Sequence, residues 1–268
     1  MITVGVIAIV LLAMLGLPLF LVIGGASVLG YLSGGQNLEL FFASYYLGVS
    51  STPIYIAIPL FTLAGYLMAE SGAPNRLVRF SRAAVGWLPG GLSVIALGTC
   101  AIFTALTGAT GLTIIALGGI LLPAMNRGHY PERFSLGLLT TSGTLGLLFP
   151  PSLPLIVYAI VAKVGIGDLF MAGLLPGAML VVVLSAYSIF VAARSRVPRK
   201  RFRAAELAAA IRECLWELPL PGVVLGGIYT GYFAVSEAAA ITAMYVFVVE
   251  VIILRDIRWS GLPELIKQ

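Results

Sequence analysis

Apolar residues dominate this chain in long continuous runs rather than in the alternating pattern of half-buried strands. The runs cover roughly residues 2–33, 53–70, 88–106, 111–125, 134–162, 168–193, 216–232 and 235–254, and Gly, Pro or charge separates them. Runs near 20 residues can cross the roughly 30 Å hydrocarbon core as helices. The ten-residue alternation of an outer-membrane barrel is absent. The pattern predicts an all-α polytopic membrane protein with about six membrane-spanning helices. The first run lacks a basic leader and continues past a short signal-peptide core, so it reads as a retained first helix.

Two runs carry breaks where a straight helix would be deepest. Residues 103–125 read FTALTGATGLTIIALGGILLPAM, with Thr104, Thr107, Gly108, Thr110, Gly111 and Thr113 gathered near the centre of 88–125. One reading is a re-entrant helical hairpin over 88–125 whose tip offers carbonyls, amides and hydroxyls. Such backbone is tolerated at membrane depth only where protein buries it or water reaches it. The other reading is two ordinary spans packed through small residues. Residues 143–155 read GTLGLLFPPSLPL. Pro150 and Pro151 lack amide donors and exclude helical geometry before them. The run 134–162 is therefore expected to be one helix broken midway, with carbonyls freed at one half-helix end and amides at the other. Freed carbonyls can coordinate Na⁺, and a half-helix N-terminus can face an anion. The plainer alternative is a proline kink repaired by nearby Ser and Thr.

Composition agrees with a membrane protein: 60% of residues are hydrophobic and only 10% charged, against about 25% charged in a soluble domain. Cys100 and Cys214 lie far apart and suggest neither a disulfide framework nor a metal site. The single histidine, His129, cannot form a ligand cluster alone. No GxxxxGK[ST], HExxH, GxSxG or CxxC is present, so no enzymatic activity, no cofactor and no metal other than Na⁺ is expected.

The net charge of +5 is explained by position. Lys and Arg are retained on the cytoplasmic side of a bacterial membrane. With one excursion over 88–125 and a single interrupted crossing over 134–162, fifteen of the sixteen cations become cytoplasmic, and only Lys163 lies outside. The N-terminus is then cytoplasmic. A loop between two full spans at 143–155 would turn the Arg194–Arg203 cluster outward, so charge favours the broken helix. Residues 194–212 alternate Ala, Leu and Ile with Arg and Glu at helical spacing. They read as an amphipathic helix on the bilayer surface, with a solvated basic loop as the alternative. The partner of this charge is the lipid bilayer, not nucleic acid. Glu237 is expected to cap a helix start, and Glu250 to sit near the cytoplasmic end of its span within reach of water.

Four segments also resemble a known family. PLFTLAGYLMAESG (59–72), the 103–125 tip, GTLGLLFPPSLPLIVYA (143–159) and SEAAAITAMY (236–245) occur in the order seen in large membrane subunits of tripartite ATP-independent periplasmic (TRAP) transporters. The resemblance covers nearly the whole chain. It implies a Na⁺-driven, elevator-type importer of organic acids, such as C4-dicarboxylates or sialic acid, in the bacterial inner membrane. It further implies a small membrane subunit and a periplasmic substrate-binding protein as partners. By match, Thr107, Gly108, Ala109 and Thr110 correspond to a Ser-Gly-Ser-Ser-like turn, and Gly143–Pro151 to the unwound helix facing it. The implied Na⁺ site draws on those four residues with Gly143, Thr144, Gly146 and Pro150, and Thr113 and Ser152 face the substrate. Ala109 departs from the pattern by supplying no hydroxyl, and residues 234–237 read AVSE where Thr-Pro-Thr-Glu is usual.

Family members carry a second, inverted repeat, so the chain is expected to be half of an inverted-repeat elevator-type transporter: a fragment, a split subunit or a short homologue. In that scheme residues 1–70 supply scaffold helices and 88–193 the transport elements (hairpin 88–125, broken helix 134–162, following helix 168–193). Residues 194–215 form the amphipathic segment, and 216–268 further scaffold. The rival readings are an elevator-type anion carrier outside the tripartite class and a non-transporting membrane scaffold.

Overall fold

The computed structural model describes residues 2–262 apart from 36, 51, 89, 196 and 198–202. Among the described residues there are thirteen α-helices and no strand. The chain divides into two compact units, Met1–Tyr55 and Ile56–Gln268.

The first unit holds α1 (Ile2–Met14), α2 (Leu19–Ser33) and α3 (Leu38–Ser50). The run 2–33 is thus two helices, not the single retained helix its hydropathy suggests. The chain reverses at Gly16, whose φ of 91° suits glycine alone, and Pro18 immediately precedes α2. α1 and α2 lie antiparallel: Gly5 sits against Leu29, and Gly25 against Ile9. No residue of α2 or α3 is buried.

The second unit contains α4 (Ala57–Glu70), α5 (Ala73–Val85), α6 (Gly91–Thr107), α7 (Thr110–Arg127), α8 (Glu132–Leu145), α9 (Leu153–Ala162), α10 (Ile166–Arg194), α11 (Ala204–Glu213), α12 (Pro219–Tyr229) and α13 (Val235–Phe247). α13 continues into a π-helical turn, Val248–Ile253, marked by a 2.8 Å bond from the Leu254 amide to the Val249 carbonyl.

Among the described residues, four helical segments are long and apolar enough to cross a membrane: Pro53–Glu70, Thr110–Arg127, Ile166–Arg194 and Val235–Ile253. Glu132–Leu148 and Leu153–Ala162, bent by 44°, make a fifth if counted as one crossing. Thr110–Arg127 is the second leg of the expected hairpin, so four of the six spans expected beside it are found among the described residues; 2–33 folds into two helices and α12 has only 11 residues.

α4 and α13 pack along one another. α4 buries Ala57, Phe61, Ala64, Gly65 and Met68, spaced for one helical face. α13 answers with Ala238, Ala239, Thr242, Ala243 and Val246, mostly small side chains that let backbones approach. Glu237 does cap α13, accepting from the Ala234 amide at 2.9 Å. The charged break after α4 is itself a helix. α5 buries Ala73, Pro74, Leu77 and Val78 on one side. The amphipathic segment expected over 194–212 is helical over Ala204–Glu213, where it packs on α5. Its part at 196 and 198–202 lies outside the described residues.

Candidate functional site

The tip joining α6 to α7 is two residues long. Gly108 has φ 65°, a left-handed conformation that ends α6, and its amide bonds the Thr104 carbonyl at 2.7 Å. Ala109 is extended and hands over to α7. The hydroxyls then turn inward between the two legs. Thr104 Oγ1 donates to Thr113 Oγ1 at 2.8 Å, and Thr113 Oγ1 donates to the Ala109 carbonyl at 3.2 Å. Thr107 Oγ1 lies 3.4 Å from Thr113 Oγ1 and accepts a long bond from the Ala109 amide. Thr104, Thr107 and Thr113 are all fully buried.

The broken helix opposes this tip. α8 tightens into a 3₁₀ turn at Gly146–Leu148, Phe149 is extended, the Pro150–Pro151 peptide is cis, and α9 begins at Leu153. Three glycines bring the elements together. A Cβ on Gly146 would collide with Thr104 and the Ala101 carbonyl on α6. One on Gly143 would sit 2.8 Å from Ile114 on α7, and one on Gly108 would lie 2.6 Å from Leu153. α4 closes the tip from another side, where a Cβ on Gly65 would fall 2.6 Å from Thr107 Cα. Gly173 and Gly177 of α10 press on the Leu148 carbonyl and the Phe149 ring.

The structure therefore sets Gly108 of the tip against Leu153, next to Ser152 in sequence, and Gly143 and Gly146 against the hairpin legs that flank Thr107 and Ala109. Thr110 begins α7 half-buried, and its carbonyl would lie 3.5 Å from a Cβ on Gly143. Pro150 is buried within the break. Two expected residues point elsewhere. Thr113, assigned toward substrate, is turned between the hairpin legs, because Thr104 and the Ala109 carbonyl satisfy its hydroxyl. Thr144 is exposed and gives its proton to the Thr141 carbonyl at 2.8 Å, as helical threonines without a tertiary partner do. Ser152 stands out. Its side chain is fully buried, and its hydroxyl has no hydrogen-bond partner. Buried hydroxyls are nearly always paired, so this orphan, like those of Ser188 and Tyr130, calls for a partner that the described residues do not supply. Ser152 also precedes α9 without a side-chain cap; Pro154 has no amide and the Ile156 amide bonds the Ser152 carbonyl at 3.1 Å, which leaves Leu153 and Leu155 as the uncapped donors.

Sequence reasoning gave Thr104 no site role, although it links the hairpin legs, and it missed Gly65. It also missed an ionic cluster at another place in the fold. Arg76 on α5 contacts three carboxylates: Nε bonds Glu217 Oε1 at 2.5 Å, Nη2 bonds Glu250 Oε2 at 2.9 Å, and Nη1 bonds Asp256 Oδ2 at 2.5 Å. Asp256 also accepts from the Gly72 amide at 2.9 Å. Glu250 is not in reach of water, as the sequence suggested, but 1% exposed, because the π-helical turn directs it at Arg76. Glu217 is also buried, and its Oε2 has no partner. Burial pulls the Arg76 guanidinium down, but Asp256, Glu250 and Glu217 outweigh it and raise its pKa above the ordinary value. Burial likewise acts to raise Asp256, yet the bonds from Arg76 and Gly72 hold it below the usual carboxylate range. The cluster ties α5 to the end of α13 and the start of α12; it is a structural clasp rather than part of the tip.

Comparison with known proteins agrees with this architecture. The family model "Tripartite ATP-independent periplasmic transporter, DctM component" matches residues 4–268. The C4-dicarboxylate TRAP transporter large permease protein DctM of Pseudomonas aeruginosa is 39% identical over 212 residues, covering 79% of this chain and 50% of that protein. The ectoine TRAP transporter large permease protein TeaC of Halomonas elongata is 33% identical over 260 residues, covering 96% and 61%. The sialic acid TRAP transporter large permease protein SiaM of Vibrio cholerae is 29% identical over 231 residues, covering 85% and 54%. The chain spans about half the length of the curated relatives it matches. A family match over nearly every residue sets aside a carrier outside the tripartite class: this multi-pass helical chain belongs to the DctM family of large membrane subunits of TRAP transporters.

Proposed function

We propose that this chain provides one repeat of a Na⁺-coupled importer of organic acids in a bacterial inner membrane. It would work with a small membrane subunit and a periplasmic substrate-binding protein, and an inverted second repeat would complete the site. The observation that carries this reading is the buried contact of a hydroxyl-lined hairpin tip with a broken helix whose Ser152 is unpaired. Neutral oxygens at Thr107, Thr110 and the backbone of 108–109 and 143–150 suit Na⁺, a hard cation. The bound charge then favours an organic anion beside Ser152, at the uncapped Leu153 and Leu155 amides of α9. Glycine-mediated packing of α8 on the hairpin supports movement of both as one body past α4 and α13. Organic acids such as C4-dicarboxylates or sialic acid fit this scheme.

A cysteine at Ala109, half-buried at the tip, tests it in a Cys100→Ala, Cys214→Ala background. The native Cys214 thiol is in any case a poor target, since burial and the neighbouring Glu217 push it up to about 12. At a Na⁺ concentration ten times its Kd, labelling of Ala109→Cys by a membrane-impermeant thiol reagent should slow about tenfold. Adding Thr107→Ala and Thr110→Ala should abolish that protection. Labelling that proceeds equally in Na⁺ and choline would overturn the Na⁺ assignment.

A further inference from the structure

A second polar constellation lies at the foot of the hairpin, far along α6 and α7 from the tip. A cavity of about 580 Å³ opens there between the end of α5, the start of α6 and the end of α7. Arg82 and Arg127 line it, and among the described residues neither has an ion-pair partner, unlike Arg76, Arg79 and Arg203. Arg82 and Arg127 are both solvent-exposed at the cavity mouth, and partial burial lowers the Arg82 guanidinium pKa with no carboxylate opposing it.

Tyr130 lines the same cavity. It is 5% exposed and its hydroxyl has no hydrogen-bond partner. Ser93 and the amides of Leu92 and Ser93 lie near enough to oppose the upward pull of burial on the phenol, but they close no hydrogen bond with it. Ser93 instead gives its own proton to the Gly90 carbonyl at 2.7 Å. The α6 N-terminus at this place carries no side-chain cap, but its Gly91 and Ser93 amides already bond the Leu88 and Gly90 carbonyls at 2.8 and 2.9 Å. Two guanidinium groups without an ion-pair partner and one unpaired buried phenol together describe an anion site.

The rest of the lining identifies the kind of anion. Leu88, Leu92, Ile95, Ile120 and Pro123 make it largely apolar, and the space is far larger than a bare phosphate needs. Trp87, between the lining residues Gly86 and Leu88 in sequence and half-exposed, suits a membrane–water interface. The positive-inside rule puts Arg82 and Arg127 at the cytoplasmic leaflet, where anionic lipids concentrate. We propose that this cavity binds the phosphodiester headgroup of an anionic phospholipid, with Arg82, Arg127 and Tyr130 on the phosphate and the first acyl carbons on the apolar lining.

Native mass spectrometry of the delipidated chain with dioleoyl-phosphatidylglycerol tests the proposal. The double variant Arg82→Gln, Arg127→Gln should bind about thirtyfold more weakly, the worth of two basic groups at an anionic headgroup. Tyr130→Phe should lose about fivefold, the worth of one hydrogen bond. Arg133→Gln, an exposed cation outside the cavity, should bind as the unaltered chain does. Inorganic phosphate should fail to displace the lipid. Equal binding by the unaltered chain and the double variant would overturn the site. Displacement by inorganic phosphate at matching concentration would overturn the lipid reading in favour of a small free anion. If the double variant unfolds more readily, Tyr130→Phe, which changes no charge, decides the question: undiminished binding refutes the site.

Discussion

Arg76→Gln is expected to destabilise the second unit by about 3–5 kcal/mol, because breaking a buried pair leaves uncompensated charge behind. Three carboxylates converge on this guanidinium, and the side chains of two, Glu217 and Glu250, are only 3% and 2% exposed. Without the cation, Glu217, Glu250 and Asp256 repel one another where little water reaches them. For a chain of this size the thermal midpoint in detergent should fall by roughly 10 °C. Adding Glu250→Gln to Arg76→Gln should recover about 1 kcal/mol or more, since residues in one network are not additive. A midpoint unchanged by Arg76→Gln would show that the carboxylates need no clasp. A double variant no more stable than Arg76→Gln alone would show that the loss is packing and not charge.

Gly146→Val should have the second large effect, on both stability and transport. A Cβ at this position meets backbone atoms of α6, the Ala101 carbonyl and Ala105 amide, as well as Thr104. Backbone cannot rotate aside as a long side chain does. Overpacking alone costs about 1–3 kcal/mol, and here the displacement falls on the hairpin that carries the tip. Uptake in a complete transporter should therefore be lost even where the protein is still inserted. Gly137→Ala, on the same helix but with open space around it, serves as the control and should be neutral. Normal uptake by Gly146→Val would mean that the hairpin and the broken helix need not stay in register.

Parts of this architecture are legible in the sequence because they rest on local chemistry. Gly108 and the double proline at 150–151 dictate backbone geometry wherever they occur, so the tip and the break are visible from residue type alone. That the two meet is not local, and it was anticipated only through the family resemblance. Hydroxyl direction was not legible: Thr113 faces its own hairpin because Thr104, one leg away, holds it there. The run 2–33 hid its reversal because Leu15, Leu17 and their neighbours are as apolar as the helices they join, although Gly16 and Pro18 marked the turn. The Arg76 cluster was invisible for another reason. Its carboxylates lie 141, 174 and 180 positions further along the chain, and each sits in or beside a break where charge reads as a topology signal.

The π-helical turn at Val248–Ile253 gives that cluster an unusual dependence on counting. A π turn holds one residue more than an α turn, and each residue in an α-helix advances the side-chain direction by about 100°. Removing one residue from this turn would keep the segment apolar and its span nearly as long. It would also swing Glu250 or Asp256 off the Arg76 side of the helix. The clasp is thus encoded in a residue tally as much as in residue identity, and a hydropathy profile cannot see it.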